Sequence, residues 1–196
     1  IWSRLVGSEM CIRDRTYTQS FEEISQRINE LEDIGGSRIL MQGGVNPDLE
    51  FSWYLDLISY LVKNHPDIHL DCFSPIEIEG IAEVSGMTTL EVLTQLQAVG
   101  LHGLPGGGAE MLVEEVRKDI SPKKGNPDNW LRVMQEAQSL GLTTSATNVF
   151  GFGETLRQRV QHMSRIRDLQ DYALQNYDNG FTSFIAWPVQ LESNSF

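Results

Sequence analysis

Cysteine is almost missing from this sequence: among 196 residues there are two, Cys11 and Cys72. They form no CxxC pair and no disulfide framework, so neither a zinc site nor a secreted scaffold is indicated, and a reducing cytoplasm is the expected location. Basic residues are also scarce, with 15 Lys and Arg against 27 Asp and Glu for a net charge of −12. Neutralising a phosphate backbone requires clustered Lys and Arg, which excludes nucleic acid as an expected partner. No apolar run approaches a membrane span and the N-terminus lacks a basic-then-apolar leader, so no membrane partner is expected. His65 and His69 stand at HxxxH spacing in HPDIH but flank the Pro66 turn, no HExxH occurs, and His65, His69, His102 and His162 are read as surface or core residues; no GxSxG elbow supports nucleophilic hydrolysis.

What is present is an ordinary globular composition, 40% hydrophobic and 21% charged, enough for one core or a large part of a bigger one. SFEEISQRINELE carries Ile24, Ile28 and Leu31 at helical spacing behind a capping box of Ser20 and Glu23. SRILMQ then reads as a buried strand ending at Gly43-Gly44. The alternation continues through the strands DIHLDCF, LHGLPGGG, LTTSATNVFG and GFTSFIAWP. Helices are predicted over FSWYLDLISYLVKNH, IEIEGIAEVSG, TTLEVLTQLQAVG, AEMLVEEVRKDI, DNWLRVMQEAQSLG and a long segment from Glu154 to about Leu174. Trp53, Tyr54 and Trp130 fall at core spacing.

Strands separated by helical crossovers require a parallel sheet, either doubly wound or part of a (β/α)₈ barrel. Unusual loops at every strand end (QGG, FSP, LPGGG, VFGFGE, WPVQ) favour the barrel, whose loops share one rim. The closing ESNSF follows a strand with no covering helix, so the expected fold is α/β, a partial (β/α)₈ barrel, with open sheet edges and low stability.

Three loops offer chemistry. In LPGGGAE the glycines let the backbone approach a ligand, and Glu110 is placed in the first turn of the following helix, with Arg117 two turns along. That pair can clasp the ammonium and carboxylate of an amino-acid moiety; alternatively Glu110 satisfies the helix dipole and Arg117 is solvated. Gln42-Gly43-Gly44 offers backbone groups to a ligand, or is a plain strand-to-loop turn. Trp187, before Pro188 at a strand end, is a candidate to face a ligand.

Taken in order, ILMQGGVNPDL, HLDCFSPIEI, LHGLPGGGAEML, RKDISPKK, TTSATNVFGFGET, RIRDLQD and GFTSFIAWPVQ closely resemble the cyclic dehypoxanthinyl futalosine synthases of menaquinone biosynthesis, from about Tyr17 onward. These are radical S-adenosylmethionine enzymes. The resemblance implies a radical SAM barrel, a [4Fe–4S] cluster on a CxxxCxxC loop, and S-adenosylmethionine as cofactor. It also implies dehypoxanthine futalosine as substrate, cyclised after hydrogen abstraction by a 5′-deoxyadenosyl radical, and a flavodoxin or ferredoxin as electron donor. Carried onto this chain, Gln42, Gly43, Gly44, Ser74, Glu110 and Arg117 become cofactor-binding candidates. Asn148, Glu154 and Gln190 become candidates for substrate contact or proton transfer. Where relatives often read GHxET, this chain has Gly151-Phe152-Gly153-Glu154-Thr155, so Phe152 cannot move a proton. Alternatives are a related aminofutalosine synthase or deazaflavin-precursor synthase, or a cluster-free barrel used as a binding protein.

CxxxCxxC appears nowhere in the 196 residues. Where it belongs stands IWSRLVGSEMCIRDR, which has no strand alternation and resembles a translated sequencing-adapter junction. Residues 1–15 are therefore expected to be non-native and 16–196 to be a barrel fragment inactive by itself, Cys11 foreign and Cys72 a buried thiol.

Overall fold

Ser20 begins the first element: its hydroxyl accepts from the Glu23 amide (3.2 Å) while the Glu23 carboxylate accepts from the Ser20 amide (2.8 Å), closing a capping box on helix α1, Phe21–Asp33. The computed structural model describes residues 18–189. From α1 the chain runs through β1 (Arg38–Met41), α2 (Phe51–Asn64), β2 (His69–Cys72), α3 (Pro75–Ser85), α4 (Thr89–Ala98) and β3 (Gly103–Leu104). It continues through α5 (Glu114–Ile120), a 3₁₀ turn (Pro122–Lys124), α6 (Pro127–Ser139), β4 (Thr143–Phe150), α7 (Leu156–Tyr177) and β5 (Phe181–Pro188). Local signals set most of these limits. Thr88 with Glu91 and Thr155 with Gln158 form two further capping boxes, and Gly86 closes α3 in the left-handed conformation, φ 65°.

All five strands are parallel and lie in sequence order, β1-β2-β3-β4-β5. Each strand neighbours its successor, so the sheet has no switch point, and it curls as half of a (β/α)₈ barrel rather than opening as a doubly wound sheet. Helices cover the outer face. There Leu70, Cys72, Leu104 and Ala146 of the strands pack with Ile58, Leu61, Ile78, Leu93, Trp130 and Met134 of the helices in one buried cluster. Trp130 is fully enclosed and Tyr54 nearly so, as their spacing predicts. Cys72 is also fully buried, and burial, with Asp71 and Glu77 adding to it, pushes its thiol far above the ordinary range. β1 and β5 are the sheet edges among the described residues, and they expose Leu40, Phe184 and Trp187; SRILMQ, expected as a buried strand, is therefore only half covered.

One predicted helix is shorter than its sequence pattern. The helix expected over 109–120 starts at Glu114, because Glu110 adopts a left-handed φ of 42° and its carbonyl accepts from the Val149 amide of β4 (2.8 Å). Tertiary pairing to β4 wins over local helix propensity there. No helix among the described residues is long and apolar enough to cross a membrane.

Candidate active site

The loops at the C-terminal ends of β1 to β4 meet on one rim. Beyond β1, the Gly43 and Gly44 amides both donate to Glu77 Oε1, at 2.9 and 3.1 Å, and the Ser74 hydroxyl donates to Glu77 Oε2 at 2.7 Å. The Gly43 and Gly44 N–H groups are thus committed to a buried carboxylate. A Cβ at either glycine would meet nothing within 4 Å, so the turn borders open space. Gln42 extends sideways, donating to the Phe73 carbonyl (3.3 Å) and lying where a side chain on Gly107 would have to go. Phe73, with a left-handed φ of 70°, is a strained non-glycine residue on this rim, as Glu110 is.

Glu77 was not singled out from the sequence, although Ser74-x-x-Glu77 is a capping-box spacing that marks both residues. Ser74 is indeed the N-cap of α3 and is buried, so its hydroxyl faces Glu77. Burial raises the Glu77 pKa, an effect that the hydrogen bonds from Gly43, Ser74 and Gly44 oppose without cancelling. A carboxyl whose folded pKa stands above its unfolded one stabilises the fold fully below the unfolded value and loses that contribution as pH rises through the folded value. Glu77→Gln keeps an acceptor for the glycine amides without the charge. Urea midpoints at pH 5 and pH 7.5 are therefore expected to shift in favour of the variant at the higher pH; a shift toward the wild type would show that the ionised form is the favoured one.

The loop after β3 is held by its carbonyls. Thr147 donates to Gly106 O, Trp130 Nε1 to Gly107 O (3.1 Å), and Arg117 Nη1 to Gly108 O (2.9 Å) and Ala109 O (2.6 Å). Asn148 Nδ2 donates to Glu110 O (3.0 Å) beside the bond from the Val149 amide. Gly106 passes so close to the Ser145 carbonyl of β4 that a Cβ there would collide with backbone, so only glycine fits.

This arrangement corrects the expected clasp. Glu110 lies ahead of the helix rather than in its first turn, 4% exposed, and its carboxylate is ion-paired with Lys124. Arg117, 1% exposed, adds Nε to Gly125 O (2.9 Å) and Nη2 to Lys124 O (2.8 Å), so its guanidinium staples two loops together instead of reaching for a ligand carboxylate. Neither side chain is solvated, so the alternative of a solvent-facing Arg117 is excluded as well.

Asn148 is buried on β4, with its side-chain amide on the Glu110 carbonyl. Glu154 is turned inward, its side chain fully shielded, accepting from the Gly151 amide (2.9 Å), the Phe152 amide (2.8 Å) and Arg159 Nε (2.7 Å). Burial would raise its pKa. The bonds from Gly151, its own amide, Arg159 and Phe152 outweigh that and hold it below the ordinary value, so Glu154 is a loop anchor and a poor proton acceptor. Gln190, Cys11 and the whole 1–15 segment lie outside the described residues. The polar inner face of β4, Ser145 and Thr147, went unnoticed in the sequence, although its period-two hydroxyls were visible in TTSATN. By strand register Trp187 lies on that same face of the sheet.

Away from the rim, Ser25, His65 and Glu32 form a serine–histidine–carboxylate chain, with Ser25 Oγ to His65 Nε2 at 2.6 Å and His65 Nδ1 to Glu32 at 2.8 Å. Ser25 sits inside α1, where backbone N–H groups are committed to the helix and cannot form an oxyanion hole. The chain ties α1 to the end of α2.

A sequence model described as the Radical SAM superfamily matches residues 8–166. The chain belongs to the radical SAM superfamily. Among curated proteins it is 42% identical over 177 residues to a cyclic dehypoxanthine futalosine synthase of Halalkalibacterium halodurans, covering 90% of this chain and 46% of that protein. It is 36% identical to a 5-amino-6-(D-ribitylamino)uracil–L-tyrosine 4-hydroxyphenyl transferase of Cyanothece, covering 90% and 48%. The chain thus spans about half the length of these relatives. Among solved structures, HydG, a maturase of the [FeFe]-hydrogenase, superposes with a TM-score of 0.70 at 16% identity, over 98% of this chain and 42% of that one. Streptococcus suis SuiB bound to S-adenosylmethionine gives 0.57 at 11% identity, over 91% and 36%. These two likenesses establish the radical SAM half-barrel fold.

The superfamily implies S-adenosylmethionine and an iron–sulfur cluster, and the two fit this chain differently. With the Gly43 and Gly44 N–H groups taken by Glu77 and open space beside both glycines, the carbonyls of the Gln42-Gly43-Gly44 turn remain as the main-chain groups suited to the ammonium group of the cofactor's methionine end. A cluster does not fit: the chain has two cysteines, Cys72 is sealed in the core with its thiol held protonated, and no group of three His, Cys, Asp or Glu converges among the described residues.

Proposed function

We propose that this chain is the cofactor- and substrate-positioning half of an enzyme that cyclises dehypoxanthine futalosine in menaquinone biosynthesis. The observation that supports this reading best is the identity to the futalosine synthase, higher than that to the transferase, with the family's loops kept in order along the rim. S-adenosylmethionine, when bound and reductively cleaved, supplies the 5′-deoxyadenosyl radical that takes a hydrogen atom from the substrate's ribose. The chain's own share is positional. The Gln42, Gly43 and Gly44 carbonyls receive the cofactor's ammonium group, with Glu77 fixing their direction. The Gly106–Glu110 loop, laid over Ser145 and Thr147, walls the site, and Asn148 holds Glu110 in place.

The electron for cleavage comes in this reading from a flavodoxin or ferredoxin. Glu154 is better suited to shaping the loop after β4 than to taking the ring proton, because its charge is already neutralised by Arg159 and two amides.

A second reading has its own support in the transferase identity: the same site joining tyrosine's hydroxyphenyl group to 5-amino-6-(D-ribitylamino)uracil. The test is product analysis of the intact gene's protein, reconstituted anaerobically with iron and sulfide and supplied with S-adenosylmethionine and a low-potential reductant. It is given dehypoxanthine futalosine in one arm, and tyrosine with 5-amino-6-(D-ribitylamino)uracil in the other. A spirocyclic product of unchanged heavy-atom composition is expected in the first arm only. Product in the second arm alone would establish the transferase, and product in neither would overturn both.

A further inference from the structure

The motif RIRDLQD stands on α7, outside the rim, and its first residue reaches the ligand loop. Arg165 Nη1 donates to the Leu112 carbonyl at 3.0 Å. One turn earlier on the same helix, fully buried His162 accepts from the Leu112 amide through Nδ1 at 2.9 Å. Both polar groups of a single peptide residue are therefore taken by two side chains of one helix, two residues beyond Glu110. Leu112 and His162 are fully buried, which shields the bond between them from water, while the Arg165 bond is partly buried.

The direction of the loop depends on this contact. Upstream, Arg117, Trp130 and β4 pin the carbonyls from Gly107 to Glu110, while downstream α5 begins only at Glu114. Between them the 111–113 segment has no secondary structure, and Leu112 is where α7 holds it. A shift of Leu112 pulls directly on Glu110, which has little freedom at φ 42°.

We propose that His162 and Arg165 are positioning residues for the cofactor loop, acting through the Leu112 peptide rather than by touching ligand. This rests on the reading that the Gly106–Glu110 loop walls the S-adenosylmethionine site. Arg165 also pairs with Asp128 at the start of α6, which gives a control: removing that pair leaves Leu112 untouched. His162→Leu removes the acceptor, and His162→Gln restores one. Arg165→Met removes the donor, and Arg165→Lys restores one. Because Arg165 lies at the rim of the core, 26% exposed, Arg165→Met remains informative even where His162→Leu fails to fold.

The experiment uses the intact protein and two readouts, amide hydrogen exchange of the 106–113 segment and equilibrium binding of S-adenosylhomocysteine. In His162→Leu and Arg165→Met, exchange at 106–113 is expected to rise and S-adenosylhomocysteine affinity to fall, each about tenfold, the size of effect a lost buried hydrogen bond produces. Exchange in α7 and β2 stays at the wild-type level, and His162→Gln, Arg165→Lys and Asp128→Asn behave like wild type. Unchanged exchange at 106–113, or an equal rise in every element, would overturn the clamp. A loosened loop with undiminished affinity would show that the clamp does not serve the cofactor. A wild-type protein that fails to bind S-adenosylhomocysteine would instead overturn the reading of the site, and with it this role for α7.

Discussion

Arg117→Met is expected to cost about 3–5 kcal/mol, the range seen when one partner of a buried ionic network is removed. The guanidinium is 1% exposed and makes four hydrogen bonds, to the carbonyls of Gly108, Ala109, Lys124 and Gly125. Methionine fills much of the volume but donates to none of them. The Ala109 carbonyl is then left buried without a donor, the Gly108, Lys124 and Gly125 carbonyls lose theirs at partly buried positions, and Glu110 loses a neighbouring positive charge, leaving Lys124 to balance it alone. Burial lowers the pKa of Arg117, with Glu110 and Glu79 pulling the other way, yet a guanidinium keeps its proton at any working pH. The loss is therefore independent of pH near neutrality. Arg117→Lys recovers only part of it, because an ammonium group presents its donors from one point and cannot reach four carbonyls spread around a plane. Urea or guanidinium unfolding monitored by tryptophan fluorescence measures both variants. A loss below about 1 kcal/mol for Arg117→Met would mean that the carbonyls find other donors. Against the roughly 5–15 kcal/mol that usually holds a domain together, the expected loss is a large fraction of the total.

The same residue shows where sequence reading stops. Helical periodicity and short apolar runs between glycine-rich loops located every strand and every α-helix, one helix being drawn too long at its start, because most of those elements bury a face or a run of their own. Ser20 with Glu23 could be read directly, since a capping box involves neighbours three residues apart. The half-barrel followed from loops at successive strand ends. Arg117 and Glu110 were read as facing a ligand, whereas their partners are main-chain carbonyls and a lysine side chain brought together by the loop's path, and carbonyls carry no sequence signature. The left-handed φ of Glu110 is likewise imposed from β4. Glu77 was hidden for the opposite reason. It looks like a routine N3 acid of a capped helix, while its carboxylate reaches across to the glycine turn 34 positions earlier. What was legible is what is local, and the rim's hydrogen bonds are almost all long-range.

Acid is expected to release the other anchor of the loop. His162 is fully buried, and its pKa is lowered from 6.5 to about 4. Burial is the largest cause. The Thr147 main chain pushes the other way, and the positive charges of Arg165 and Arg117 add to the lowering. A base with a depressed folded pKa contributes stability that is fully present above the unfolded value near 6.5 and is lost as pH falls toward the folded value near 4. The free energy lost across that window is about 3 kcal/mol, since each pH unit separating the folded and unfolded values corresponds to about 1.4 kcal/mol. The geometry gives the same sign: protonating Nδ1 would set an N–H against the Leu112 amide, two donors facing each other at 2.9 Å. Carboxylates contribute to acid lability as well, so the wild-type profile alone does not isolate the histidine. His162→Gln does, because glutamine offers a carbonyl oxygen to Leu112 and cannot titrate. Stability measured by urea unfolding at half-unit steps from pH 7.5 to 4.5 is expected to fall more steeply for wild type than for His162→Gln, with the two curves separating from pH 6.5 downward. Parallel curves would mean that His162 takes up its proton equally in both states. The observed burial against Leu112 does not permit that while the loop stays closed.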